Sequence, residues 1–155
     1  MKRNKRIICV LLVLFTVLSS SVLVNAASWP VLKRGDSGVN VESLQYLLVS
    51  KGYTKMKVDG TFGDETYRNV KGFQTARGLE RDGIVGAKTW EKLIVTLKRG
   101  AKSNAVKAVQ CQLGIDEDGD FGKGTESAVK VFQEGHGLKV DGIVGPTTWR
   151  YLLNY

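Results

Sequence analysis

One pattern occurs twice in this chain, and it limits the fold more than any other feature. The run Asp-Gly-x-Phe-Gly begins at Asp59 and again at Asp118, while Asp-Gly-Ile-Val-Gly begins at Asp82 and again at Asp141. A tryptophan follows each copy of the second run within four residues. A repeat of about 60 residues indicates two small modules of the same fold. Duplication favours a binding function, because a second tethered site raises the apparent affinity.

The first 26 residues predict a signal peptide for export. Four basic residues among the first six precede an apolar run over 7–24, and the segment ends in Val24-Asn25-Ala26. This ending suits the positions that a signal peptidase reads, so we expect cleavage after Ala26 and a secreted protein. The alternative is an uncleaved membrane anchor, since the run is nearly long enough to span a bilayer.

The charge and the cysteines of the mature chain exclude several classes. The full sequence has 23 Lys and Arg against 15 Asp and Glu, and removing the four basic residues of the leader leaves 19 against 15. A nucleic-acid-binding protein concentrates a larger basic excess on one face, so no nucleic-acid partner is predicted. Outside the leader the only cysteine is Cys111, and no intramolecular disulfide can form.

The apolar spacing predicts three short helices in each copy, hence an all-α fold of two tandem three-helix modules after the signal peptide. Ser37 can cap the first helix, Asp64 suits the start of the second, and Gly78 is placed to end it. The third helix is expected from Ala87, and Pro146 is tolerated in the first turn of its counterpart. Residues expected to face inward are Val41, Leu44, Leu48, Val70, Phe73, Ala76, Trp90, Leu93 and Ile94 in the first copy and Val106, Val109, Leu113, Val129, Phe132, Trp149, Leu152 and Leu153 in the second.

The order of these residues resembles the peptidoglycan-binding-like domain family. The resemblance rests on Val-x-x-Leu-Gln, Asp-Gly-x-Phe-Gly-x-x-Thr, Val-x-x-Phe-Gln and Asp-Gly-x-x-Gly-x-x-Thr-Trp, and it covers nearly all of the mature chain. The family is a non-catalytic three-helix module often appended to bacterial cell-wall hydrolases, including spore-cortex lytic enzymes. After the predicted signal peptide over 1–26, the resemblance implies repeats over 29–95 and 96–155. It implies a secreted, bivalent protein of the cell wall that binds peptidoglycan through its glycan strand or peptide stem.

Candidate ligand-binding residues lie in the repeated motifs and in one loop. Tyr53 is favoured because an aromatic face suits a sugar ring and a hydroxyl can form a hydrogen bond. The signature aromatic residues and aspartates have an alternative role, in the core and in the turns. The full set of candidates is Tyr53, Asp59, Phe62, Asp82, Trp90, Asp118, Phe121, Asp141 and Trp149.

The residue content argues against catalysis. One histidine is too few for a zinc hydrolase, and Cys111 and His136 match no Cys–His catalytic motif. The repeats also leave no separate domain for a pair of catalytic carboxylates. We therefore predict no catalytic residues, no metal and no cofactor.

Two other functions remain open. The chain can be the targeting part of, or an accessory to, a separate cell-wall hydrolase of the amidase or spore-cortex lytic type. It can also be a protein-interaction module, since the family resembles the pro-segment fold of matrix metalloproteases. A membrane partner is expected only if the signal segment stays uncleaved.

Overall fold

The computed structural model describes residues 27–54 and 56–154, so the predicted signal peptide lies outside the described residues. The described residues form six α-helices in two sets of three, which confirms the all-α prediction. The helices are α1 Val39–Ser50, α2 Asp64–Ala76, α3 Ala87–Leu93, α4 Asn104–Leu113, α5 Lys123–Gly135 and α6 Pro146–Leu152. Among these described helices, none is both long and apolar enough to cross a bilayer.

An extended segment before the first helix of each module ties the module together. In the first module Leu32 pairs with Val85, and in the second Leu97 pairs with Val144, both as isolated antiparallel bridges. The tryptophan of the third helix in each module also binds the extended segment. Trp90 Nε1 donates to the carbonyl of Pro30, and Trp149 Nε1 donates to the carbonyl of Val95, each at 2.8 Å.

The turns before the later helices are each held by a buried glutamine. Gln133 Oε1 accepts from the backbone N–H groups of Asp141 and Gly142, at 3.1 and 2.9 Å. Its Nε2 donates to Asp141 Oδ1, to the carbonyl of Ile143 and to Thr148 Oγ1. Every polar atom of the side chain is therefore used, in a position that is 1% exposed.

Within residues 27–54 and 56–154 the same arrangement occurs four times, although only two long repeats are evident in the sequence. We call it the Gln–Asp-Gly unit. The glycine of each turn has a φ between 68° and 76°, a conformation that a side chain would strain. The four units consist of Gln45, Asp59, Gly60 and Thr66; Gln74, Asp82, Gly83 and Thr89; Gln110, Asp118, Gly119 and Thr125; and Gln133, Asp141, Gly142 and Thr148.

Two local predictions were wrong. Ser37 does not cap α1, because its backbone pairs with Thr61 and the helix follows Gly38 without a side-chain cap. Ala76 is exposed rather than inward, since Gln74 occupies the buried position near the end of α2.

The two modules pack against each other through α1 and α4. Small side chains allow the helices to approach closely: Ser43 and Ala108 are fully buried, and Ser43 Oγ donates to the carbonyl of Ala108 at 3.3 Å. Gln112 Nε2 donates to Asn40 Oδ1 at 2.7 Å across the same interface. The modules are therefore in contact along a helix pair.

We expect Gln133→Met to lower the free energy of unfolding by about 2–3 kcal/mol, because it leaves the buried N–H of Gly142 without an acceptor. Urea denaturation of the variant and the parent measures this difference. Gln112→Met is the matched control, since that buried glutamine donates a single hydrogen bond, to Asn40. A loss for Gln133→Met no larger than the loss for Gln112→Met would contradict the special role of the Gln–Asp-Gly unit.

Candidate functional site

In the described part of the chain, three surface grooves each lie beside one Gln–Asp-Gly unit. Groove 1 has a volume of about 360 Å³, groove 2 of about 280 Å³ and groove 3 of about 350 Å³. The lining of groove 1 includes Leu79, Glu80, Asp82, Ile84 and Lys88; that of groove 2 includes Leu138, Lys139, Asp141, Ile143 and Thr147; and that of groove 3 includes Ile115, Asp116, Asp118, Asp120 and Gly124.

Grooves 1 and 2 occupy equivalent positions in the two modules. In groove 2 the Asp-Gly turn forms one wall, the start of α6 forms the other, and Gln133 and Thr148 lie between them. Groove 1 is built in the same way beside α3, with Gln74 and Thr89. Aliphatic side chains contribute apolar surface in both grooves. Each groove is therefore a shallow apolar surface with a polar rim, held rigid by a fully bonded glutamine.

The turn aspartates hold the backbone through their carboxylates. The N–H of Ile143 donates to Asp141 Oδ1 at 2.9 Å, and this hydrogen bond lowers the pKa of Asp141. The pKa of Asp118 is lowered first by the N–H of Asp120, and the pKa of Asp59 by the N–H of Thr61. These three carboxylates are consequently ionised at neutral pH.

The four predicted aspartates lie in equivalent turns but not in equivalent surroundings. Asp82 and Asp141 line grooves 1 and 2, and Asp118 lines groove 3. Asp59 lies in the remaining unit, where its carboxylate accepts from Gln45 and from the backbone of Thr61. The N–H of Ile84 likewise donates to Asp82 Oδ1 at 2.8 Å. A turn-forming role is thus visible for all four aspartates, and contact with a ligand stays a prediction for all four.

The predicted aromatic residues lie in the core. Phe62, Trp90, Phe121 and Trp149 are each at most 1% exposed. No ring face of these four is open to a ligand in this conformation. They therefore support the modules from inside and do not line the grooves.

Tyr53 is half-buried and covers part of the first core. Its ring meets Phe73 edge-on, with 6.2 Å between the centroids. In the second module the link from glutamine to aspartate spans 8 positions instead of 14, and no counterpart of Tyr53 exists. The equivalent surface is an apolar recess of about 280 Å³ that includes Val131 and Phe132. Tyr53 thus has a packing role, and its contact with a sugar stays a prediction.

Possible metal ligands converge at one place in the described part of the chain. Donor atoms of Glu42, Cys111 and Glu117 lie within 4.8 Å of one another near the contact between α1 and α4. Burial, together with these two carboxylates, raises the pKa of the Cys111 thiol to about 12. The thiol is therefore protonated at neutral pH and unsuited to act as a nucleophile. The ring of His136 stacks on Phe132 with 4.1 Å between centroids, which is a packing contact.

The buried glutamines were not identified among the candidate residues from the sequence. Their signal is nevertheless present: in three of the four units a glutamine precedes the aspartate of the Asp-Gly pair by eight positions, and a threonine follows that aspartate by seven in all four. The longer link of the first unit hides the pattern. The groove residues beyond the aspartates, such as Leu79 and Lys88, carry no comparable signal.

Comparison with known proteins assigns both modules to one family. Residues 37–93 and 102–152 match the family described as "Putative peptidoglycan binding domain". A protein of Bacillus licheniformis described as "Probable N-acetylmuramoyl-L-alanine amidase" is 33% identical over 172 residues, covering 88% of this chain and 48% of the relative. The spore cortex-lytic enzyme of Bacillus subtilis (strain 168) is 41% identical over 93 residues, covering 58% of this chain and 30% of the relative. The chain thus spans about half, or less, of the length of these relatives.

Two solved structures are also similar. The SleB N-terminal domain is 46% identical, with 44% of this chain and 93% of that chain covered and a TM-score of 0.41. A peptidoglycan-binding protein from Clostridioides difficile, solved in complex with glutamine hydroxamate, is 42% identical, with 41% of this chain and 40% of that chain covered and a TM-score of 0.40.

Acid should weaken the Asp-Gly turns. Because the pKa values of Asp118 and Asp141 are lowered in the folded state, their stabilisation is present above the ordinary range of aspartate, near pH 4, and is lost as the pH falls through the lowered values. We expect the free energy of unfolding to fall between about pH 5 and pH 2, and to fall less in the double variant Asp118→Asn, Asp141→Asn, whose side chains do not titrate. Urea denaturation at several pH values measures both slopes. An unchanged slope in the variant would show that other groups cause the acid dependence.

Proposed function

Because the chain belongs to the family of peptidoglycan-binding domains, we propose that it is an exported, bivalent peptidoglycan-binding protein without catalytic activity of its own. Grooves 1 and 2 are its ligand sites. The observation that carries this proposal is the recurrence of one groove, on the same Gln–Asp-Gly unit, at the equivalent position of both modules.

The composition of the grooves suits a polymer of amide-bearing sugars and short peptides. Aliphatic side chains such as Leu79 and Ile84 offer apolar contact for methyl groups and ring faces, and the rims supply polar and charged groups for orientation. The turn wall is already fixed by the glutamine. Binding therefore requires little ordering of the protein, which reduces the entropic cost of association.

The contact between α1 and α4 has a consequence for affinity. Since the two modules pack together, the grooves are held at a set separation and orientation. When one groove is occupied, the second meets its part of the same polymer at a high effective concentration. Tethering of this kind can raise the apparent affinity by about 100-fold or more where the geometry allows both sites to bind.

A second candidate function follows from the relatives. The chain matches a probable amidase and a spore cortex-lytic enzyme over only part of their lengths. The chain can accordingly act as the targeting part of such a lytic system, with catalysis supplied by a separate hydrolase. If the protein alone lowered the turbidity of a wall suspension, it would itself be a lytic enzyme, and this second candidate function would be excluded.

The first experiment mixes residues 27–155 with insoluble peptidoglycan stripped of teichoic acid and measures the fraction that pellets. We expect saturable pelleting without loss of turbidity. Ile84→Lys and Ile143→Lys place a charged side chain in groove 1 and groove 2, and each should lower the apparent affinity by up to about 100-fold through lost bivalency, while the double variant should not pellet. Val131→Lys is the control, because Val131 is 70% exposed and lies outside both grooves. Pelleting by the double variant at the level of the control would exclude the grooves as sites.

Separating the modules should weaken binding without unfolding them. Ala108→Leu adds three carbons to a fully buried contact between α1 and α4, and we expect the helix pair to part, with a fall of about tenfold or more in apparent affinity. Small-angle X-ray scattering measures the increase in the radius of gyration, and circular dichroism measures whether the helices persist. Ala128→Leu on α5, which faces the open recess, is the control. Unchanged scattering together with unchanged pelleting would contradict the role of this interface.

A further inference from the structure

We infer that Lys139 selects a carboxylate of the peptide stem in groove 2, whereas Glu80 disfavours a carboxylate at the same point of groove 1, so that the two modules read different positions of the polymer. This inference rests on the proposed function, because it assigns ligand chemistry to the same two grooves.

The two grooves share a frame and differ on the rim. Glutamine, leucine, aspartate, isoleucine and threonine recur at equivalent positions of both linings. At the position two residues before the turn aspartate, groove 1 has Glu80 and groove 2 has Lys139. The charge at this one position therefore differs by two units, and the two grooves also differ in Arg81 against Val140 next to it and in Lys88 against Thr147 on the helix wall.

Lys139 is placed to meet an anion. Its side chain is 87% exposed, and its Nζ lies 3.6 Å from Asp141 Oδ2. The other oxygen, Asp141 Oδ1, is held by Gln133 and by the N–H of Ile143. An exposed ion pair at this distance contributes little to the free energy of unfolding, so the ammonium group can leave it to bind a ligand. The proximity of Asp141 places the ammonium group at the rim of groove 2.

Groove 1 presents the opposite charge at the corresponding point. Glu80 and Asp82 both line groove 1, whereas the exposed Arg81 between them is not part of the lining, so a carboxylate entering at the turn wall meets two like charges. The one lysine in the lining of groove 1 is Lys88, which lies on α3 and therefore on the wall opposite the turn. Like-charge contact of this kind excludes a ligand group more effectively than a missing attraction does.

The carboxylates of peptidoglycan belong to its peptide stems. Its repeating N-acetylated sugars present hydroxyl and amide groups instead. Aliphatic residues beside Lys139, such as Leu138 and Ile143, suit the methyl groups of alanine in such a stem. Phosphate of a wall polymer offers similar anionic chemistry. The experiment therefore separates these two sources of negative charge.

The test compares pelleting of residues 27–155 on three preparations: stripped peptidoglycan, the same material with its carboxylates converted to amides, and wall that retains teichoic acid. Lys139→Glu is compared with Lys98→Glu, an exposed lysine outside the grooves with the same change in net charge. We expect amidation to weaken the parent by about two- to fivefold. Lys139→Glu should weaken binding to stripped peptidoglycan by at least this factor, and amidation should strengthen its binding because it removes the like-charge contact, while Lys98→Glu should behave as the parent. Glu80→Lys should strengthen binding to the unamidated material.

Several outcomes would overturn the inference. Equal losses for Lys139→Glu and Lys98→Glu would show a general charge effect, and an unchanged affinity after amidation would exclude the stem carboxylate. A dependence on Lys139 that appears only on wall with teichoic acid would assign the anion to phosphate instead. Parent protein that pellets with none of the three materials removes the proposed function as well, whereas pelleting that ignores Lys139 removes this inference alone.

Discussion

The fold depends on four buried glutamine side chains. Each of them makes the hydrogen bonds to the polar groups of a tight turn that water would otherwise make. A module of about 60 residues buries a small apolar core and would ordinarily need additional constraints to fix its loops. Here the amide oxygen of Gln133 accepts from the turn backbone and its amide nitrogen reaches Asp141 and Thr148, so one side chain joins a helix, a turn and the next helix. Among the described residues that are not exposed, no buried polar side-chain atom lacks a partner. This complete pairing matters because a partly satisfied buried amide would destabilise the module that it now organises.

The same interaction accounts for the position of the grooves. A turn held by a glutamine leaves a short wall standing above the start of the next helix, and three of the four units have a groove there. The two grooves differ at rim residues such as Glu80 and Lys139, whose side chains make no hydrogen bond to the glutamine of the unit. The residues that hold the turn are therefore different from the rim residues that face a ligand. The frame can stay constant in both modules while the charge that faces a ligand changes.

Much of the fold could be predicted from the sequence because it is encoded locally. Helical spacing, Asp-Gly turns and the repeated tryptophans indicate two three-helix modules, and the inward positions of Val41, Phe73 and Trp149 are confirmed. The site was harder to predict, since burial of an aromatic residue depends on what packs over it. The sequence does not indicate that the Tyr53 ring meets Phe73 edge-on, and the contact of Tyr53 with a sugar stays a prediction. The groove residues are ordinary surface residue types, and only the three-dimensional arrangement brings Leu138, Lys139 and Ile143 together.

The first and last described residues lie close together, which constrains whatever is joined to this domain. Asn154 Nδ2 donates to the carbonyl of Ser28 at 2.5 Å, so the first and last described stretches of backbone lie side by side. A segment attached before residue 27 and a segment attached after residue 154 would leave the domain from the same place. A fusion before residue 27 and a fusion after residue 154 would therefore start at about the same distance from the grooves. Joining residue 27 to residue 154 and opening the chain elsewhere would require a connection of only a few residues.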